Sequence, residues 1–262
     1  MPEAGSPGSL PPYFELAAAP HWRAVDFISD LHLSERMPRT FEAFAAHLLN
    51  TAADAVVVLG DLFEVWVGDD MGSRGFERRC IDALAQAASH RQLAFMVGNR
   101  DFLAGAELLR QCGAMGLPDP TVLKAWGQHI LLSHGDALCL ADAPYQAFRH
   151  EVRSPAWQAS FLSKPLAERL KIAADIRKLS QTRRQFDGAA DADVDAATAV
   201  HWMHAMGARE IVHGHTHRPG SNLLAPGYKR HVLSDWDLDN GDRAEVLRLT
   251  RDGFERLPPT RA

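Results

Sequence analysis

"REIVHGHTHRP", residues 209–219, runs from a short apolar strand into three histidines within five positions, with Gly214 between the first two. Imidazoles crowded at the exit of a strand point to ligands rather than to ordinary surface or core histidines. Their partners have to come from elsewhere in the chain, and the sequence supplies them in order. "RAVDFIS" (23–29) leads to Asp30 and His32, "DAVVVLGD" (54–61) to Asp61, "LAFMVGNRD" (93–101) to Asn99 and "HILLSHGD" (129–136) to His134. "EIVHGHTH" (210–217) then adds His215 and His217.

These apolar runs alternate with helical patterns. "FEAFAAHLLN" carries Phe41, Phe44, Leu48 and Leu49 at helical spacing, and further helices are read at residues 76–89 and 104–111. Strands apolar on both sides that alternate with helices predict an α/β layered fold whose sheet is covered on both faces. Strand exits of such a sheet share one edge, so residues far apart in sequence meet there. Gly60, Gly98 and Gly214 lie just ahead of ligands, where the backbone must come close. "KRHVLSDWDL" (229–238) and "RAEVLRLTR" (243–251) are read as closing antiparallel strands.

Residues 141–195 break the rhythm and read as a helical insertion, with prolines at 144, 155 and 165 suited to helix starts. From 164 to 184 seven Lys or Arg face only Glu168 and Asp175, in a chain whose formal charge is −5. That net charge gives no global attraction to nucleic acid, so a basic surface has to be local. Residues 1–20, rich in Pro, Gly and Ala and without a basic residue, are read as a flexible arm rather than a signal peptide. The main domain is placed at 21–250 and a tail at 251–262. No run approaches the roughly 18 apolar residues of a membrane span. Cys80, Cys112 and Cys139 are odd in number and widely spaced, which argues against a disulfide framework and a thiolate metal site and fits a reducing compartment.

Asp, His and Asn donors without Cys favour divalent ions such as Mn²⁺, Fe²⁺ or Zn²⁺. Seven donors exceed the needs of one catalytic ion with open positions, but a shared carboxylate lets them serve two. An ion pair about 3.5 to 4 Å apart can hold a bridging hydroxide and clamp phosphoryl oxygens during in-line displacement, so phosphoester hydrolysis is the reaction the donors suggest.

The blocks "DLH" (30–32), "GDLFE" (60–64), "GNRD" (98–101), "HGD" (134–136) and "GHTH" (214–217) resemble the signature of the calcineurin-like metallophosphoesterases. The longer strings "LGDLFEVWVGDD", "VGNRDFL" and "LSHGDALCLADAPYQAFR" narrow the resemblance to the branch that cleaves the pyrophosphate of UDP-2,3-diacylglucosamine in lipid A biosynthesis, yielding UMP and 2,3-diacylglucosamine 1-phosphate. The resemblance implies an αββα sandwich with a helical lid. It also implies two divalent ions, Mn²⁺ by family, one held by Asp30, His32, Asp61 and His217 and the other by Asp61, Asn99, His134 and His215. Asp61 would bridge them. The lipid nucleotide substrate, an anionic membrane surface and a peripheral place on the cytoplasmic face of the inner membrane follow from the same resemblance, with neither nucleic acid nor an obligate protein partner. A general phosphodiesterase or nuclease on the same scaffold is the alternative.

Arg100 stands where many relatives carry a histidine that protonates the leaving oxygen. A guanidinium cannot serve as that acid at neutral pH, and a leaving phosphate monoester does not need one, so Arg100 favours pyrophosphate cleavage with attack on the phosphorus next to uridine. Asp61, Asn99, Arg100 and His134 are thus the expected catalytic set. Asn99, Arg100, Trp66, Phe102, Asp142, Tyr145 and His215 are expected against substrate, with Ser180, Lys164, Lys171 and Arg177 reaching it from the lid. Phe148, Trp157, Phe161, Leu162, Leu166 and Leu170 are the candidates for an acyl groove. "SQTRRQF" (180–186) departs from the family's pattern of Ser, Asn and Lys, which limits carry-over beyond Ser180. Asp101 is read as orienting a neighbouring histidine or backbone. "DADVD" (191–195) lacks the Gly and Glu that a calcium loop requires and is read as a polar linker, with Asp195 near a helix start. His201 and His204 are read as surface residues.

Overall fold

The computed structural model describes residues 10–187 and 192–262, without the side chains of 180–187, so the expectation for Ser180 and the first nine residues of the expected arm lie outside the described residues. The described chain runs β1 (Phe14–Ala17), β2 (Ala24–Ile28), α1 (Pro38–Asn50), β3 (Ala55–Leu59), α2 (Gly75–Ala88), β4 (Gln92–Met96), α3 (Ala106–Cys112), β5 (Met115–Leu117), β6 (Thr121–Ala125) and β7 (Gln128–Ser133). It continues through α4 (Ala143–Val152), α5 (Pro155–Leu162), α6 (Leu166–Asp187), α7 (Ala196–Ala205), β8 (Glu210–His213), β9 (Gly220–Ala225), β10 (Tyr228–Val232), β11 (Val246–Thr250) and β12 (Gly253–Leu257).

Two six-stranded sheets form, in the orders β12-β11-β2-β3-β4-β5 and β1-β6-β7-β8-β10-β9. Val25, Phe27, Val57, Leu59 and Met96 from the first meet Leu123, Ile130, Leu132 and Val212 from the second, which buries the inner faces. On the outside of the first sheet, Val56, Val58 and Phe95 pack under Phe44 and Leu48 of α1 and Ile81 and Leu84 of α2. On the outside of the second, Val122, Leu131 and Ile211 pack under Trp202 and Met203 of α7. The result is an αββα sandwich, and β2 and β3 are buried along their whole length: β3 is apolar throughout, whereas β2 buries Asp26, which accepts from Arg248 Nε and Thr51 Oγ1. β2, β3 and β4 are parallel, as are β7 and β8, so their exits point to one edge.

The ends of the chain depart from the sequence reading. Phe14–Ala17, inside the expected arm, is β1 and pairs in parallel with β6. Gly253–Leu257, inside the expected tail, is β12 and pairs with β11. β10, expected to be antiparallel, lies parallel to β8 and antiparallel only to β9. The inserted segment folds into α4, α5 and α6. Asp142 and Ser154 cap the first two by accepting the N–H groups of Tyr145 and Trp157, and Pro144 and Pro155 occupy first-turn positions where an N–H is not needed. Asp195 caps α7 by accepting the N–H of Thr198. Cys80, Cys112 and Cys139 are free and buried. No helix among the described residues is long and apolar enough to cross a membrane.

Candidate active site

The strands deliver their donors through reversed backbone. Asp30, His32, Asp61, His215 and His217 all have φ between 48° and 65°, a region that residues with a Cβ enter only when surrounding contacts hold them there. The contacts are present. Asp30 and His32 donate their N–H groups to the carbonyls of Gly60 and Asp61 at 3.1 and 3.0 Å, and Gly214 donates to His134 at 2.9 Å. The Asp30 carboxylate accepts the N–H of His215 at 2.9 Å, so a ligand of one sheet fixes the ligand loop of the other. Space is as tight as the sequence implied: a Cβ at Gly98 would overlap the Asp61 carboxylate, and one at Gly214 the Asp30 carboxylate and Ser29 Oγ. Asp101 is fully buried and accepts from the N–H groups of Gly98, Leu62, Asp61 and Phe63 at 2.7 to 3.4 Å. It therefore orients backbone, not a histidine, and ties the Asp61 loop to the Asn99 loop. Burial and the nearby Asp61 carboxylate push its pKa up to about 6.

All seven expected donors come together. Asn99 Oδ1 lies 3.0 Å from His134 Nε2 and 2.8 Å from His215 Nδ1, and His134 Nε2 is 3.7 Å from Asp61 Oδ1. On the other side His217 Nε2 is 3.3 Å from Asp30 Oδ1 and 3.3 Å from His32 Nε2. Asp30, His32 and His217 form one group able to hold a metal ion, and Asp30, Asp61 and His134 form another. Ring orientation supports that fit. His134 Nδ1 donates to the Leu59 carbonyl at 2.9 Å, which leaves the Nε2 of the neutral ring as an acceptor aimed at another acceptor, Asn99 Oδ1. A metal ion bound between them, or a proton on Nε2, resolves that opposition. The field points the same way: although burial opposes a charged ring, Asp61, Asp30 and Asp136 push His134 up to about 9. Burial opposes the Asp30 charge too, yet His217, His134 and His32 hold that carboxylate below its ordinary range.

The family model described as calcineurin-like phosphoesterase matches residues 24–219, which span all seven donors. The chain belongs to the calcineurin-like phosphoesterase family. It is 43% identical over 242 residues to a Chromobacterium violaceum protein named UDP-2,3-diacylglucosamine hydrolase, covering 90% of this chain and 98% of that one. A protein of the same name from Xanthomonas campestris pv. campestris is 42% identical, with 87% and 96% covered. One from Aromatoleum aromaticum is also 42% identical, with 81% and 89% covered.

In this phosphoesterase the donors open onto a cavity of about 1050 Å³ between the sandwich edge and the inserted helices. Trp66, Arg100, Phe102, Asp142, Tyr145, Arg177 and His215 line it, as do Phe148, Trp157, Phe161 and Leu170. Lys164 and Lys171 do not. Lys164 precedes α6 and pairs with Glu168, and Lys171 is exposed beside the cavity face that Leu170, Ala173, Ala174 and Arg177 form at three- and four-residue spacing. Leu162 is likewise exposed, and Leu166 packs against the core beneath.

Several residues that shape the site were given no role in the sequence reading, although Glu64 and Asp136 close the blocks "GDLFE" and "HGD". Asp136 is fully buried and accepts from Tyr145 Oη at 2.7 Å, Arg149 Nε at 2.8 Å and Arg153 Nη2 at 3.3 Å, while Arg153 also donates to the Gly98 carbonyl at 3.0 Å. Burial opposes the Asp136 charge, but Arg153, His134 and Arg149 keep the carboxylate well below its ordinary range. Tyr145, held in this way, stacks on His215 with ring centroids 5.9 Å apart. Glu64 Oε2 lies 3.3 Å from His32 Nδ1, and Asp235 Oδ2 lies 3.9 Å from His217 Nδ1.

Proposed function

We propose that this chain hydrolyses the pyrophosphate of UDP-2,3-diacylglucosamine to UMP and 2,3-diacylglucosamine 1-phosphate. The observation that carries the reading is the junction of seven N and O donors with an apolar lid cavity. The donors suit phosphoryl transfer, and Phe148, Val152, Trp157, Phe161 and Leu170 suit acyl chains. The relatives' shared name supports the same substrate.

In this reading Asp30, His32, Asp61 and His217 hold one divalent ion, and Asp61, Asn99, His134 and His215 hold the other, with Mn²⁺ as the metal. When bound, such ions lower the pKa of water and neutralise charge on the phosphoryl oxygens. Arg100 meets a phosphoryl oxygen and supplies no proton, which the departing sugar phosphate does not require. Asn99, Trp66, Phe102, Asp142, Tyr145, His215 and Arg177 surround the sugar and phosphates. The exposed Leu162 and Leu179 and the basic lid support docking on the anionic cytoplasmic face of the inner membrane.

The test is turnover of UDP-2,3-diacylglucosamine in ¹⁸O-labelled water with Mn²⁺, after stripping with a chelator and after readdition. UMP carrying the label, formed only with metal, is the expected outcome. Label in the lipid phosphate would overturn the orientation. Cleavage of single-stranded DNA without lipid turnover would overturn the substrate in favour of a nuclease.

A further inference from the structure

Glu64 touches two things that the fold otherwise keeps apart. Its Oε2 lies 3.3 Å from Nδ1 of His32, a donor of the first group, and its Oε1 forms an ion pair with Nη2 of Arg177 on α6. The carboxylate is 16% exposed by side chain and cannot be replaced there by solvent without cost. Its backbone is fixed as well: the Glu64 N–H donates to the Leu33 carbonyl at 3.1 Å, and Leu33 and Phe63 pair as a parallel bridge, so the loops that carry His32 and Glu64 are zipped together. Arg177 comes from a different part of the chain and reaches Glu64 only because α6 lies over the cavity.

We propose that Glu64 is a positioning residue that couples the lid helix α6 to the metal centre. An imidazole binds a cation through one nitrogen and needs its other nitrogen to carry the proton. Glu64 Oε2, 3.3 Å from Nδ1 of His32 and short of hydrogen-bond alignment, is the acceptor within reach of that proton, and a proton held there leaves Nε2 as a lone-pair donor on the side where His217 Nε2 lies 3.3 Å away. The same carboxylate receives the Arg177 guanidinium. When α6 is seated, Glu64 has a charged or N–H partner beside each oxygen, and the His32 ring is held in one orientation. When α6 lifts, the carboxylate loses its second partner and its hold on the ring loosens. Occupancy of the lid is thereby transmitted to one of the two ion sites, the one that includes His32.

This inference rests on the two-ion reading, and its experiment separates the two. Metal-free protein is titrated with Mn²⁺, with free Mn²⁺ followed by electron paramagnetic resonance, for the wild type, Glu64→Ala, Glu64→Gln, Arg177→Ala and the double variant Glu64→Ala/Arg177→Ala. The wild type is expected to bind two ions. Glu64→Ala should weaken one of them on the order of 10- to 100-fold and leave the other unchanged, the usual effect of removing a partner of a ligating histidine. Glu64→Gln keeps an acceptor for Nδ1–H and should lose less, which distinguishes positioning from a general folding defect. Arg177→Ala should weaken the same ion in the wild-type background and have no further effect in the Glu64→Ala background. A wild type that binds no Mn²⁺ would refute the two-ion reading itself. Two tight ions in Glu64→Ala would refute only the role of Glu64, and equal effects of Arg177→Ala in both backgrounds would refute the coupling to α6.

Discussion

At the scale of single residues, what distinguishes this site is how few side chains act alone. Asp101 binds no expected ligand, yet it gathers four backbone N–H groups from the two loops that carry Asp61 and Asn99. Asp101→Ala strands those buried donors, which should cost on the order of 2–4 kcal/mol and loosen metal binding. Urea denaturation of the metal-free protein measures the first effect and Mn²⁺ titration the second; unchanged stability would show that water replaces the carboxylate. The seven donors were legible in the sequence because each stands a residue or a few beyond an apolar strand, and the tight glycines stand beside them. Glu64, Asp136, Arg149, Arg153 and Asp235 were not legible in their roles. Glu64 and Asp136 stand inside quoted blocks, but a block does not say what its carboxylate touches, and what Glu64 does depends on His32 and Arg177, which lie 32 positions before it and 113 positions after it.

Among the elements, the central strands and their helices could be read from apolar runs, while the terminal strands could not. "FELA" in β1 has one buried residue in four, and β12 has none fully buried, so neither shows the pattern that marks an interior strand. The basic insertion was read as a surface that meets anions, but its charges divide. Arg169 is only 4% exposed, and its guanidinium pairs with Asp70 and the Val67 carbonyl, which pins the start of α6 to the loop after Trp66. Arg169→Ala removes that pin without touching any metal donor. Hydrogen exchange across residues 166–179 should rise, and KM for the lipid substrate should increase about tenfold, the equivalent of one lost charge-assisted hydrogen bond. The number of bound Mn²⁺ ions should stay the same. A variant with unchanged exchange and unchanged KM would show that α6 is held by its apolar face alone.

For the molecule as a whole, the proposed donors come from both sheets, from residue 30 to residue 217, so the proposed metal centre can form only while the entire sandwich is folded. One buried histidine links that stability to pH far from the donors. His47 of α1 is fully enclosed, 3.5 Å from Asp26 Oδ2 and beside Trp236. Burial lowers its pKa below the ordinary 6.5; Asp26 pulls the other way, and Arg248 and Arg91 reinforce the lowering. The unfolded chain therefore binds a proton at this position at a higher pH than the folded one, and stability falls as pH drops below 6.5 towards the folded value. His47→Gln removes the titration while keeping a polar side chain of similar reach. Other groups, including the donors, titrate in both proteins, so the informative quantity is the difference between their unfolding free energies. Measured by urea denaturation without metal from about pH 7.5 to about pH 5, that difference should shift steadily against the wild type on acidification. A constant difference would mean that His47 has the same proton affinity folded and unfolded. A shift in favour of the wild type would mean that attraction to Asp26 outweighs burial.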